Sequence, residues 1–152
     1  MKKPGVKAFI IYNKKLLLIL RDNKPSIPSP NKWSLPGGAI EKNEQTLQAI
    51  ERELKEEINV IPKNITYLGK QVYKDGSEVF RYLAKLTKKE FEHVKLGEEG
   101  QKLKFFNLDE INQLDLAKYS TEYFLKYINQ VKKIIEEDKK LKPEMLGLKF
   151  PR

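Results

Sequence analysis

Apolar and polar residues follow one another along this chain in two rhythms, and the switches between them mark its elements. Residues 6–11 and 16–20 are apolar runs rich in aliphatic and β-branched side chains. The Tyr12-Asn13-Lys14-Lys15 stretch between them predicts a β-hairpin. Pro25, Pro28 and Pro30 follow, which keep the chain extended and out of a helix. Lys32-Trp33-Ser34-Leu35-Pro36-Gly37-Gly38 then reads as a short strand ending in a Gly-Gly break. Over residues 44–58 the rhythm changes. Leu47, Ile50, Leu54 and Ile58 recur at three- and four-residue spacing, which predicts an amphipathic helix with Asn43 as its N-cap. Beyond Pro62 strand-like runs return over residues 65–68, 71–73 and 78–86, with Lys74-Asp75-Gly76-Ser77 as a turn. A further strand is predicted over 103–108, and Leu108-Asp109-Glu110 opens helical territory. Residues 119–133 predict a second long helix carrying Tyr123, Phe124, Tyr127, Ile128 and Val131 along one side. The charged stretch from residue 136, with Pro143, Gly147 and Pro151, predicts a helix end and an extended tail.

The order strands, helix, strands, helix predicts a mixed α/β (α+β) domain, a central sheet with helices on both faces. A chain of 152 residues suits one domain; we expect it to span residues 1–140, with 141–152 as a C-terminal tail. No apolar run approaches the ~20 residues of a membrane span, and the first residues lack the apolar region of a signal peptide. The expectation is a soluble cytoplasmic protein with no membrane partner. The absence of Cys excludes a disulfide scaffold, a cysteine zinc site, a thiol nucleophile and an iron–sulfur cluster. A net charge of +9 raises nucleic acid as a partner, yet only four of the 30 basic residues are Arg and the lysines are spread throughout. Arg is the planar, bidentate reader of phosphate and guanine, so this balance describes a solvated surface better than a nucleic-acid face.

The first predicted helix carries the candidate chemistry. At 100° per residue, Glu53, Glu56 and Glu57 share an arc of about 100°, beside the apolar stripe. Like charges so placed destabilise a helix by about 0.2–0.5 kcal/mol per pair. Residues 41–57 hold six acids against three bases, a negative island in a basic chain. Carboxylates without imidazole or thiolate suit Mg²⁺, with Mn²⁺ as the alternative; a solvated Glu/Lys face is the competing explanation.

Gly38, Glu44 and then Arg52-Glu53-Leu54-Lys55-Glu56-Glu57-Ile58-Asn59-Val60 stand at fixed spacing. The pattern closely resembles the Nudix box, the signature of the Nudix hydrolases, among which features outside the box favour the MutT-like branch; eight of its nine defined positions match. The departure is Asn59, where the family has Gly. Asn is the next most tolerant residue for a left-handed helix end, so it is expected to substitute structurally. The resemblance implies a Nudix α/β/α sandwich with a loop–helix–loop catalytic motif on a mixed sheet. It also implies Mg²⁺-dependent hydrolysis of a nucleoside diphosphate linked to a further group. Carried over by position, Glu53, Glu56 and Glu57 are the metal ligands, Glu53 or a second acid is the base, and Gly37 or Gly38 offers a carbonyl to the metal. Arg52 orients an acid, and Arg52 with Glu44 and Gly38 braces the motif. Gly97-Glu98-Glu99-Gly100-Gln101 is similar to the Glu-Gly-Gln loop of members that remove oxidised nucleoside triphosphates. It implies Glu99 as a further metal ligand or base, with Glu98 as the alternative.

Marks outside the box leave the substrate open. Where ADP-ribose members tend to carry a Pro, this chain has Lys74-Asp75-Gly76, and where diadenosine-polyphosphate members carry a Tyr it has Gly76, Ser77 and Glu78. The default is a (deoxy)nucleoside triphosphate, oxidised or ordinary, cut to the monophosphate and pyrophosphate. RNA 5′ ends, another nucleotide or a non-catalytic binding module are the alternatives. Phe80, Tyr82, Phe106 and Asn107 are the candidates for base recognition and Arg21 for holding a phosphate. His93 has no second ligand near it. The tyrosines of the second helix, Tyr119, Tyr123 and Tyr127, fit either core cover in a monomer or a homodimer face.

Overall fold

The two opening apolar runs pair as their pattern predicts. In the computed structural model, which describes residues 3–150 apart from the side chains of 119–122, β1 (Gly5–Tyr12) and β2 (Lys15–Leu20) form an antiparallel hairpin. Asn13 and Lys14 between them have φ of 51° and 59°, the geometry that matches a two-residue turn to strand twist. The two strands touch only at this end, through Ile11–Leu16 and Tyr12–Lys15, and then separate. The opening is filled by the next segment: β3 (Trp33–Ser34) pairs with β2, β4 (Gly37–Ala39) pairs with β1, and Ala8 N donates to Pro36 O at 3.0 Å. The Gly-Gly break is thus itself a strand.

Helix α1 (Thr46–Ile58) follows, then β5 (Ile65–Val72), β6 (Glu78–Lys85), α2 (Lys88–His93), β7 (Lys102–Phe106), α3 (Leu108–Ile111) and α4 (Lys118–Glu137). Among the described residues seven strands form one mixed sheet, in which β6 runs parallel to β1 and carries β5 outside it, while β7 pairs with β2. The runs over 65–68 and 71–73 are one strand with an irregularity between Tyr67 and Gly69. Each face buries its own core. Val6, Ala8, Ile10 and Leu17 meet Ile50, Leu54 and Ile58 of α1; Phe9, Ile11, Leu16 and Leu18 meet Tyr123, Phe124 and Val131 of α4. Burying each such aliphatic side chain contributes roughly 1.5–3 kcal/mol. The result is the α/β/α sandwich expected.

Four local differences have physical causes. Leu47 is 40% exposed, and Ala49 takes its place under α1. The N-cap is Gln45, whose N–H donates to Gln48 Oε1 at 2.9 Å; Asn43 instead turns the loop with φ 65°. The second long helix runs on to Glu137, burying Ile134 and Ile135, with a local break at Tyr127. Residues 143–146 form a 3-10 turn, Leu146 and Leu148 are buried, and Lys149 pairs with Lys70 through two 2.8 Å backbone hydrogen bonds. The segment expected as an extended tail therefore packs against the domain. Among the described residues no helix is long and apolar enough to cross a membrane.

Candidate functional site

Arg52 organises the acidic edge of α1. Its Nε and Nη2 donate to the two oxygens of Glu44 at 2.8 and 3.0 Å, Nη1 donates to Glu53 Oε1 at 3.0 Å, and Nη2 also reaches Ala39 O at 3.0 Å. Glu56 and Glu41 lie 3.6 and 3.8 Å from Nη1. One side chain thereby ties the end of β4 and the following loop to the helix that bears the acids. The bidentate pair holds the Glu44 carboxyl well down, at about 2, through the Arg52 hydrogen bond.

Glu53 lies against the backbone of Gly38, where an added Cβ would sit 2.5 Å from its Oε1. Glu57 turns towards the opening between β1 and β2 and accepts from Gly37 N at 2.8 Å. Burial pushes its carboxyl up to about 8; repulsion from Glu53 adds to that, while Lys7 and the Gly37 N–H pull against it. Lys7 is half-buried on β1 and donates to Leu35 O at 3.0 Å. Burial lowers its pKa against the attraction of Glu57. Glu56 stands 60% exposed at the rim.

The left-handed end of α1 falls where the sequence places it. Asn59 has φ 67° and ψ 14°, its N–H donates to Lys55 O at 3.2 Å, and its side chain donates to His93 O at 3.1 Å. Asn therefore adopts the turn that Gly would serve. The 94–101 loop returns alongside, with Lys95 N on Ile58 O and Gly97 N on Glu57 O at 3.0 and 2.9 Å. A Cβ on Gly97 would collide with the Glu56 carbonyl, so only glycine passes there. Gln101 anchors the far end on Leu20 O, Arg21 O and Asn31 Oδ1. Glu98 and Glu99 are exposed on this loop, between the end of α1 and the end of β2.

Among the described residues no three His, Cys, Asp or Glu side chains converge closely enough to enclose an ion. The donor chemistry nevertheless fits a hard divalent cation. Two carboxylates lie together, Glu57 in a buried position that penalises its charge and Glu53 in the space that the missing side chain of Gly38 leaves, while a third, Glu56, stands at the rim.

The expected substrate residues do not gather together. Tyr82 is 2% exposed beneath α1 with its hydroxyl 2.6 Å from Thr46 Oγ1, and Phe106 is 4% exposed against Trp33; both are core residues. Asn107 is the N-cap of α3, accepting from Glu110 N at 2.9 Å. Phe80 is half-buried between Tyr67 and Lys70 on the α1 side. Arg21 lies close enough to Lys7 to repel it, while its Nε donates to Pro28 O at 2.8 Å. Lys7 and Arg81 are not singled out by any sequence motif, yet the sheet makes them neighbours. Lys7 is the lone cation in the apolar run of β1, whereas Arg81 stands between Phe80 and Tyr82 in a strand that also carries Glu78 and Lys85.

A protein-family description, NUDIX domain, matches residues 1–127. The chain is 29% identical over 115 residues to the 8-oxo-dGTP diphosphatase of Escherichia coli K12, covering 76% of this chain and 88% of that one. It is 31% identical over 117 residues to the ADP-ribose pyrophosphatase of Methanocaldococcus jannaschii, covering 72% of this chain and 64% of that one. Its fold superposes on the NUDIX domain of Shewanella oneidensis NrtR, solved with ADP ribose, at a TM-score of 0.66 and 22% identity, covering 86% of this chain and 89% of that one.

Proposed function

The chain belongs to the Nudix family, and from that membership we propose that it is a divalent-metal-dependent pyrophosphohydrolase of nucleotides. The observation that carries this reading is the acidic edge of α1, braced by Arg52 and set against the Gly37-Gly38 backbone at the opening of the sheet.

Glu53, Glu56 and Glu57 would hold Mg²⁺ or Mn²⁺, with a carbonyl of Gly37 or Gly38 and with Glu99 of the neighbouring loop. The cation supplies charge neutralisation of phosphate oxygens and acidification of the attacking water. Arg52 keeps Glu53 oriented. Glu53 or a second acid takes the proton of the water that attacks phosphorus, while Arg21 and Lys7 offer positive charge to the phosphates. A nucleoside triphosphate is the favoured substrate, ordinary or oxidised, leaving as monophosphate and pyrophosphate. The similarity to the E. coli 8-oxo-dGTP diphosphatase and the Gly-Glu-Glu-Gly-Gln loop support it. ADP-ribose is the second reading, supported by the similarity to the M. jannaschii enzyme.

A panel with Mg²⁺ separates the two: dGTP, 8-oxo-dGTP, other nucleoside triphosphates, ADP-ribose, diadenosine polyphosphates and 5′-triphosphorylated RNA. Release of pyrophosphate with a nucleoside monophosphate from a triphosphate is the expected result. Turnover of ADP-ribose alone would replace the favoured substrate by the second. No turnover of any nucleotide overturns the proposal.

A further inference from the structure

The 94–101 loop is held at both ends, and its two acids stand between the holds. At the α1 end, Lys95 N and Gly97 N donate to Ile58 O and Glu57 O, so the loop sets out from the backbone of one of the α1 acids. At the β2 end, Gln101 N donates to Leu20 O at 2.8 Å. Only Glu98, Glu99 and Gly100 lie between Gly97 and Gln101, and Gly100 has φ 91°. A Cβ on Gly100 would sit 3.0 Å from Ile19 Cγ2 and 3.3 Å from Leu20 O, so the link passes close over the end of β2.

The Gln101 side chain adds a second hold at this end. Its Nε2 donates to Arg21 O at 2.8 Å and to Asn31 Oδ1 at 2.9 Å, one acceptor for each amide hydrogen. A backbone carbonyl can only accept, so the Arg21 contact fixes which end of the amide faces inward. Asn31 is itself set in a left-handed turn with φ 57°, its N–H on Asp22 O at 3.0 Å. Arg21 N on Lys32 O at 2.9 Å closes the base of the same loop. One glutamine therefore ties the acid-bearing loop to the base of the proline-rich one.

Gln101 is nevertheless exposed. Hydrogen bonds of an exposed neutral side chain contribute little to stability, because water competes for them. Two of them converging on one amide fix a position more than they hold a fold. Glu99 is the middle residue of the five from Gly97 to Gln101, so both holds place it equally, whereas Glu98 directly follows the hold at α1.

We propose that Gln101 is a positioning residue: by fixing the β2 end of the link it holds the Glu99 carboxylate where that group joins the α1 acids in binding the divalent cation. This rests on the pyrophosphohydrolase reading above and adds to it the residue that sets Glu99 in place.

Calorimetric titration of the nucleotide-free chain with Mn²⁺ tests it without turnover. The wild type binds Mn²⁺, and Gln101→Ala weakens that binding by roughly tenfold, the usual effect of losing a group that orients a metal ligand. Its Tm in chelator shifts by no more than about 4 °C. Glu99→Gln weakens binding as well. The double variant binds no more weakly than Glu99→Gln alone, because the glutamine acts only through that carboxylate. Should Gln101→Ala fail to fold, Asn31→Gly keeps the left-handed turn, removes one acceptor and lowers Mn²⁺ affinity in the same direction. Unchanged Mn²⁺ affinity in either folded variant, or losses that multiply in the double variant, overturns the proposal. A Glu99→Gln chain that binds Mn²⁺ as the wild type does overturns it too, while nucleotide hydrolysis by the wild type persists. A wild type that neither binds Mn²⁺ nor hydrolyses nucleotides overturns the pyrophosphohydrolase reading as well.

Discussion

Burial holds the Glu57 carboxyl at about 8, and the sign of its effect on stability follows. The unfolded chain releases this proton near the ordinary carboxylate value of about 4.3, whereas the metal-free fold keeps it until about 8. Between those values the native state binds more protons, so its stability falls as pH rises. Glu53 reinforces the effect, while Lys7 and the Gly37 N–H oppose it. In chelator, thermal scans should show a Tm that declines from about pH 5 to about pH 8, and Glu57→Gln should flatten that decline. Mg²⁺ binding displaces the proton, so its stabilisation should grow over the same interval. A Tm for the metal-free wild type that is flat or rising there contradicts the electrostatic account of Glu57. At this scale the acids and their brace were legible, because like charges crowded on one helix face need a reason. The juxtaposition of Lys7 and Arg81 is not legible in this way, because it depends on β1 and β6 being neighbours, which the linear sequence does not display.

Among the elements, α1 was read almost whole because its apolar spacing is strong and its two ends carry turn residues. Its start lies two residues later through a local pairing: Gln45 and Gln48 cap it, and Asn43 serves the loop. Helices α2 and α3 are too short to show a period, yet their caps were written in the sequence. Thr87 and Glu90 bond each other's backbone N–H at 2.9 and 3.1 Å, as Asn107 and Glu110 do at 2.9 Å each. The turn after α1 makes the sharpest test. Asn59→Gly should leave stability and turnover close to wild type. Asn59→Val should cost about 1–2 kcal/mol, because a β-branched side chain resists φ 67°, and should reduce turnover by shifting Glu56 and Glu57. Denaturant unfolding together with steady-state rates checks both; equal stability of the Gly and Val forms would remove the strain argument.

For the whole molecule, the sandwich was legible from element order, but the fate of the last dozen residues was not. Leu146 and Leu148 look like scattered apolar residues in a charged stretch. The structure gives Leu146 no exposure at all and joins its carbonyl to Tyr123 Oη at 3.0 Å. Leu146→Ala should therefore cost about 2–5 kcal/mol, as a cavity in a core does, and a chain ending at residue 140 should melt lower than the full one. Equal Tm values would return this segment to the status of a tail. The proposed role of the α1 acids can be measured through steady-state pyrophosphate release from a nucleoside triphosphate with Mg²⁺, for wild type, Glu53→Gln and Glu57→Gln. Both variants should fold, with turnover lower by about two to four orders of magnitude. Full activity in both variants would contradict that role.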